Sequence, residues 1–128
     1  MKLLLDTHLL LWAGFRMERV PASVLLLLES PGNLIYFSSA TIWEIAIKKA
    51  QGKASFQVDA VEFYAKLLDS GYRELPIDGT HGGYVQVLPP IHKDPFDRIL
   101  VAQATIEGIT LLTADRRLAT YPGPIQLV

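Results

Sequence analysis

The sequence predicts an α/β fold built on a parallel sheet with helices on both faces. Short continuous apolar runs that stop at polar residues recur along the chain, as expected of strands covered on both sides. Longer stretches with apolar residues at helical spacing lie between them. Strand and helix patterns alternate from end to end, which implies parallel neighbours joined by right-handed crossovers.

Taken in order, Leu3 to Leu5 form the first strand, ending at Asp6. Pro21 to Ser30 reads as a helix in which Val24 and four successive leucines give more apolar surface than one stripe buries. Leu34 to Phe37 is the second strand. Ala40 to Ala50 is an amphipathic helix carrying Ile42, Trp43, Ile45 and Ile47, with Gly52 as its stop. Val58 to Leu68 is another, with Val61, Ala65 and Leu68 at helical spacing and Gly71 following. Tyr72 to Leu75 is a weaker strand. Asp94 caps a helix with Pro95 at its first position, continuing through Ile99, Leu100 and Ile106 to Gly108. Thr110 to Leu112 and Ile125 to Val128 are the last strands.

With 128 residues, half of them hydrophobic, the chain suits a single domain, residues 1–128, that buries a core without covalent staples. It has no cysteine, which excludes disulfides, thiolate zinc sites and thiol catalysis and suits a cytoplasmic setting. The opening MKLLL is interrupted by Asp6 and His8 before it reaches the length of a secretion signal, so a mature, soluble N-terminus is expected. No apolar run approaches the roughly 20 residues that cross a bilayer. A net charge of -1 argues against nucleic-acid binding by bulk charge, so any such contact is local. Local basic groups are Lys48, Lys49 and Lys53, Lys93 and Arg98, and Arg116 and Arg117. Each alone reads as a solvated face.

Ligands in such a sheet collect beyond the carboxyl ends of the strands. That rule selects Asp6 after the first strand, Asp115 after the Thr110 strand, and Glu44 and Asp97 in the first turns of two helices. The segment QVLPPIHK must bring Asp97 back to the same edge. Each acid alone has an ordinary explanation. Glu44 follows Thr41 by three, as in a capping box, and precedes Lys48 by four, as in a surface ion pair. Asp97 suits the positive end of its helix, and Asp115 suits a turn. Asp6 is hardest to dismiss, because a carboxylate adjoining a buried strand is costly unless paired or bound to a cation. Four carboxylates together repel one another and need a positive charge. Oxygen donors of this kind suit Mg²⁺ or Mn²⁺, and with them hydrolysis at phosphate.

Three stretches, LLLDTH, SSATIWEIAIKKAQGK and HKDPFDRILVAQATIEGITLLTADRRL, in that order and at that spacing, resemble the PIN-domain ribonucleases, specifically the VapC-type toxins of bacterial toxin-antitoxin pairs. The resemblance covers nearly the whole chain. It implies a three-layer α/β/α sandwich, PIN-like, around a parallel sheet of about five strands. It implies that Asp6, Glu44, Asp97 and Asp115 are the catalytic and metal-binding set, with Asp94 a neighbour, and that the hydroxyls of Thr7, Ser38 and Thr113 support the acids or a water. The implied activity is Mg²⁺- or Mn²⁺-dependent endonucleolytic cleavage of RNA. The implied partners are an RNA substrate, a cognate antitoxin and a second copy of the chain in a homodimer. The leucine-rich helix and Trp12 offer surplus apolar surface for an interface, and core packing explains them equally well.

In that reading Asp6 and Asp97 are principal ligands, Glu44 orients the attacking water and Asp115 completes the set, directly or through water. Lys48, Arg98 and Arg116 are candidates for holding the RNA backbone. His8 replaces a small polar residue common in relatives and reads first as a surface imidazole; His81 and His92 carry less functional weight still. Rival readings are a DNA nuclease of the same fold, a phosphohydrolase with an Asp nucleophile, a lapsed non-catalytic copy of the fold and a receiver-like signalling module. The phosphohydrolase pattern wants a second acid where His8 stands, and the receiver wants an acid where IYFSS offers serine.

Overall fold

A computed structural model describes residues 1–128. Five strands, β1 (Lys2–Leu5), β2 (Leu34–Ser38), β3 (Arg73–Leu75), β4 (Thr110–Thr113) and β5 (Ile125–Leu127), form one sheet in the order β3-β2-β1-β4-β5. All four pairings are parallel. Six helices accompany them: α1 (Thr7–Phe15), α2 (Ala22–Glu29), α3 (Ser39–Ala50), α4 (Ala60–Asp69), α5 (Gly79–Tyr84) and α6 (Pro95–Glu107).

Strand β1 shows why an apolar run without alternation becomes a central strand. Successive side chains leave a strand on opposite faces. Leu3 and Leu5 therefore enter one core with Leu9, Leu10, Phe37, Ile45, Phe63 and Leu67, while Leu4 enters the other with Leu100, Val101, Ala104 and Leu111. All three leucines are completely buried, and each contributes about 2 kcal/mol. Helices α1, α3 and α4 supply the first core and α6 the second, which makes the fold a three-layer α/β/α sandwich.

Two helices differ from what the sequence suggests. Helix α1 begins at once after Asp6, whose side chain caps it by accepting the Leu9 N–H at 2.9 Å. Its buried Thr7, Leu9, Leu10 and Leu11 cover more than one stripe. Helix α5, with the glycine-rich sequence GTHGGY, occupies a stretch that carries no helical pattern; the Asp78 and His81 side chains and backbones close a reciprocal cap at its start. The leucine-rich α2 buries only Val24 fully and leaves Leu26 70% exposed. No helix is long and apolar enough to cross a membrane.

The C-terminal end of α6 depends on Gly108, which adopts φ 66 and ψ 35 and returns its N–H to Ala104 O. A side chain is disfavoured in this left-handed conformation by about 1 kcal/mol. Gly108→Ala is expected to lower stability by about that amount with no effect on the sheet edge, read as a shift in the urea midpoint at unchanged slope.

The order 3-2-1-4-5 reverses direction between β1 and β4. The connections from β1 run outward through β2 to β3; the chain then crosses back and continues outward through β4 to β5. Loops that leave β1 and β4 therefore diverge and open a crevice at their carboxyl ends.

Candidate active site

Asp6 follows β1 and Asp115 follows β4, so the switch of strand order puts both at one crevice. The Asp6 N–H continues the ladder by donating to Leu112 O at 3.1 Å. Thr113 ties the two acids together: its hydroxyl donates to Asp6 Oδ2 at 2.5 Å and accepts the Asp115 N–H at 3.0 Å. Asp115 Oδ1 in turn accepts the N–H groups of Arg117 and Leu118.

Glu44 enters from α3 and is buried. The helix starts at Ser39, capped by Ser38, so Glu44 lies in the second turn and not the first, and the Thr41 capping box suggested by the sequence does not form. Thr41 sits inside the helix and meets Thr7 Oγ1 at 3.0 Å. Because Thr7 donates to Glu44 Oε1 at 2.6 Å, the Thr41 hydroxyl is the donor toward Thr7. Lys48, one turn on, reaches Glu44 Oε2 at 2.5 Å and Asp94 Oδ2 at 3.4 Å, and its ammonium lies over the rings of Phe56 and Phe96.

Asp97 enters from the first turn of α6. Asp94 caps that helix by accepting the Phe96 N–H at 2.8 Å, with Pro95 in the first position. The preceding segment is brought back to the crevice by Arg98. Its guanidinium donates to the carbonyls of Pro89, Val85 and Leu88 and to the Tyr121 hydroxyl. Reading Arg98 as a phosphate-binding group is therefore corrected: its donors are committed to holding the return loop.

Electrostatics report the convergence of the acids. Burial, then the carboxylates of Asp94, Glu44, Asp6 and Asp115, push the Asp97 carboxyl up to about 8. Four carboxylates raise a fifth in this way only if they lie near it. Burial also raises Asp6, overriding the Thr113 hydroxyl, the Leu9 N–H and His8. At Asp115 burial works upward too, but the Leu118 N–H, the His92 imidazole and the Arg117 N–H hold the carboxyl below the usual range. Burial alone would lower Lys48, whereas its contacts with Glu44 and then Asp94 raise it.

The structure thus brings together Asp6, Glu44, Asp97 and Asp115, with Thr7 on Glu44 and Thr113 on Asp6. Ser38 is different: its Oγ accepts the Ala40 N–H at 3.0 Å, so it supports Glu44 by starting α3 and touches none of the four acids. Arg116 is exposed beside Asp115. His8 is exposed on α1, edge-on to Phe56. His81 is the buried residue of α5 and meets Asp78 and Glu107. His92 was undervalued by the sequence: its Nε2 lies 3.3 Å from both Asp97 Oδ2 and Asp115 Oδ2. One donor atom from each of the three lies within 4.8 Å of the others.

A family model described as PIN domain matches residues 3–124. Among solved structures, the chain is similar to VapBC2 from Rickettsia felis bound to a fragment of promoter DNA, with TM-score 0.73 and 18% identity over 99% of this chain and 98% of that one. DNA-bound VapBC from Salmonella typhimurium gives 0.63 and 18% over 98% and 97%. VapBC-1 from nontypeable Haemophilus influenzae gives 0.62 and 19% over 99% and 98%. No curated protein matches. The five-stranded parallel sheet, the acids at its switch point and the family match over nearly the whole length lead to one assignment: the chain belongs to the PIN domain family.

Proposed function

We propose that the chain is a Mg²⁺- or Mn²⁺-dependent endoribonuclease, the toxin of a toxin-antitoxin pair. The observation that carries the reading is the concentration of negative charge around Asp97, whose carboxyl is held up to about 8 by burial and four neighbouring carboxylates. A hard divalent cation is the charge that such an all-oxygen donor set accommodates. Asp6 and Asp97 would hold it, and Asp115 would complete the set directly or through water. A bound cation supplies an activated water near neutral pH and offsets charge on the leaving oxygen.

The chain's own residues do the rest. Glu44, fixed by Thr7 and Lys48, orients the attacking water. Thr113 keeps Asp6 aimed into the crevice while it holds the Asp115 backbone. Exposed Arg116, and Lys48 if it leaves Asp94, are the cations available to an RNA phosphate beside the acids.

The likeness to VapBC complexes supports an antitoxin partner. A groove of about 890 Å³ between α1 and α4 supports it as well, lined by Leu11, Trp12, Phe15, Val58 and Phe63 and edged by charges of both signs, Arg16, Arg19 and Lys66 with Asp59 and Glu62. A partner segment with apolar anchors suits such walls. The resemblance also implies a homodimer and action in the cytoplasm.

The test is incubation of the purified chain with mixed structured and unstructured RNAs, beside single- and double-stranded DNA. RNA fragments are expected that vanish with chelator and return with added Mn²⁺. Cleavage unaffected by chelator would end the cation reading. Cleavage of DNA alone would keep the chemistry and overturn the substrate. Expression without the neighbouring small reading frame is expected to arrest growth, and co-expression to relieve it; unimpaired growth in its absence would remove the toxin role.

A further inference from the structure

His92 is held at every polar atom. Its N–H donates to the Tyr121 hydroxyl at 2.8 Å, and that hydroxyl donates back to its carbonyl at 3.3 Å. On the ring, Nδ1 accepts the Asp94 backbone N–H at 3.2 Å. Nε2 meets Asp115 Oδ2 and Asp97 Oδ2, each at 3.3 Å, and the side chain is only 17% exposed.

The contact with Asp94 decides the chemistry of the ring. A nitrogen that accepts an N–H must carry a lone pair, so Nδ1 is unprotonated and the ring proton sits on Nε2. An Nε2 that bears a proton cannot ligate a cation. Ligation would need the proton moved to Nδ1, where it would face the Asp94 N–H, donor against donor. Although His92, Asp97 and Asp115 have the spacing of a three-donor metal site, the imidazole is therefore a hydrogen-bond donor to Asp115 and lies in close contact with Asp97.

We propose that His92 is a positioning residue of the acid cluster, its Nε2–H set between Asp97 of α6 and Asp115 of the turn after β4, holding the two carboxylates at the separation one divalent cation takes. The role rests on the cation reading given above. Asp97 and Asp115 come from different elements and repel one another once both are ionised, and His92 is the basic side chain that lies against Asp97. The Arg117 and Leu118 N–H groups hold the other oxygen of Asp115, so the loss of His92 frees Asp115 Oδ2 and removes the one side chain seated between the two acids. Groups that hold ligating side chains in this way are worth tenfold to a hundredfold in metal affinity.

Two substitutions separate this role from loop architecture. In His92→Asn the side-chain oxygen takes the place of Nδ1 and keeps the Asp94 N–H satisfied, while the donor toward the acids is lost. In His92→Gln the amide nitrogen extends to about where Nε2 lies and keeps the donor. Mn²⁺ binding, followed by the loss of free-ion electron paramagnetic resonance signal, is expected to weaken about tenfold or more in H92N and to be largely restored in H92Q. Nitrogen NMR of the wild-type ring is expected to show the proton on Nε2 with and without Mg²⁺, and bound Mn²⁺ to show no directly coordinated nitrogen.

H92N binding Mn²⁺ as tightly as wild type, or a directly coordinated nitrogen, overturns the positioning role while weak binding by Asp97→Asn keeps the cation reading intact. Wild-type chain that binds no Mn²⁺ overturns both. If either variant is unfolded by circular dichroism, the wild-type ring decides: a proton on Nδ1 rejects the role, and a proton on Nε2 with no coordinated nitrogen supports it.

Discussion

Asp97→Asn is expected to stabilise the chain in the absence of divalent cations and to lower RNA cleavage about a thousandfold. Both effects come from one carboxyl. Unfolded, it ionises near pH 4; folded, burial and the carboxylates of Asp94, Glu44, Asp6 and Asp115 hold its proton until about 8. Below pH 4 both states carry the proton and the residue has no effect on stability. As pH rises from 4 toward 8 the unfolded chain releases a proton that the folded chain keeps, so the unfolded state gains. Asparagine has nearly the same shape and never ionises, so its advantage grows over that window, reaching about 2 kcal/mol or roughly 6 °C near pH 7.5. On the proposed cation reading the same substitution removes a charge that the cation needs, hence the expected loss of cleavage. Thermal melts in chelator at pH 4.5 and 7.5 check the first effect. A variant no more stable than wild type at the higher pH would show that the acids do not strain the fold.

The two effects belong to a trade between stability and activity, and they bear on how far the sequence could be read. The sheet was legible because β1 and β4 are buried on both faces, so Leu3 to Leu5 and Leu111 to Leu112 stand out as unbroken apolar runs. Helix α1 is harder for the same reason: Leu9, Leu10 and Leu11 are all buried, and a helix covered on several sides loses its periodicity. Helix α5 is held by the Asp78–His81 cap against the poor propensity of its glycines. The proximity of Asp6 and Asp115 could be read because both follow strands at the switch of strand order. Arg98 was misread because one basic residue in the first turn of a helix looks the same whether it faces phosphate or four protein oxygens. His92 carried little signal, since a single loop histidine has no pattern. Its partner Asp115 is 23 residues away, and only the return of the chain to β4 brings them together.

Cation binding should be strongly dependent on pH, with affinity for Mn²⁺ rising about tenfold per pH unit between 6 and 8 and flattening above, roughly a hundredfold in all. The direction follows from the raised carboxyl. Below about 8 Asp97 holds a proton, and a cation that takes its place must displace it. Asp115 adds nothing to this slope, because its contacts with the Leu118 N–H, His92 and the Arg117 N–H oppose burial and keep it ionised at lower pH than usual. Asp6, raised by burial, can only steepen it. Proton and cation are thus alternative ways of making the same crowded carboxylates tolerable. Calorimetry in buffers of different ionisation enthalpy should register about one proton released per Mn²⁺ bound at pH 7, and Asp97→Asn should abolish most of that release. A binding constant that stays level from pH 6 to 8 would mean that Asp97 is already ionised when the cation arrives, and that the charge is balanced elsewhere in the crevice.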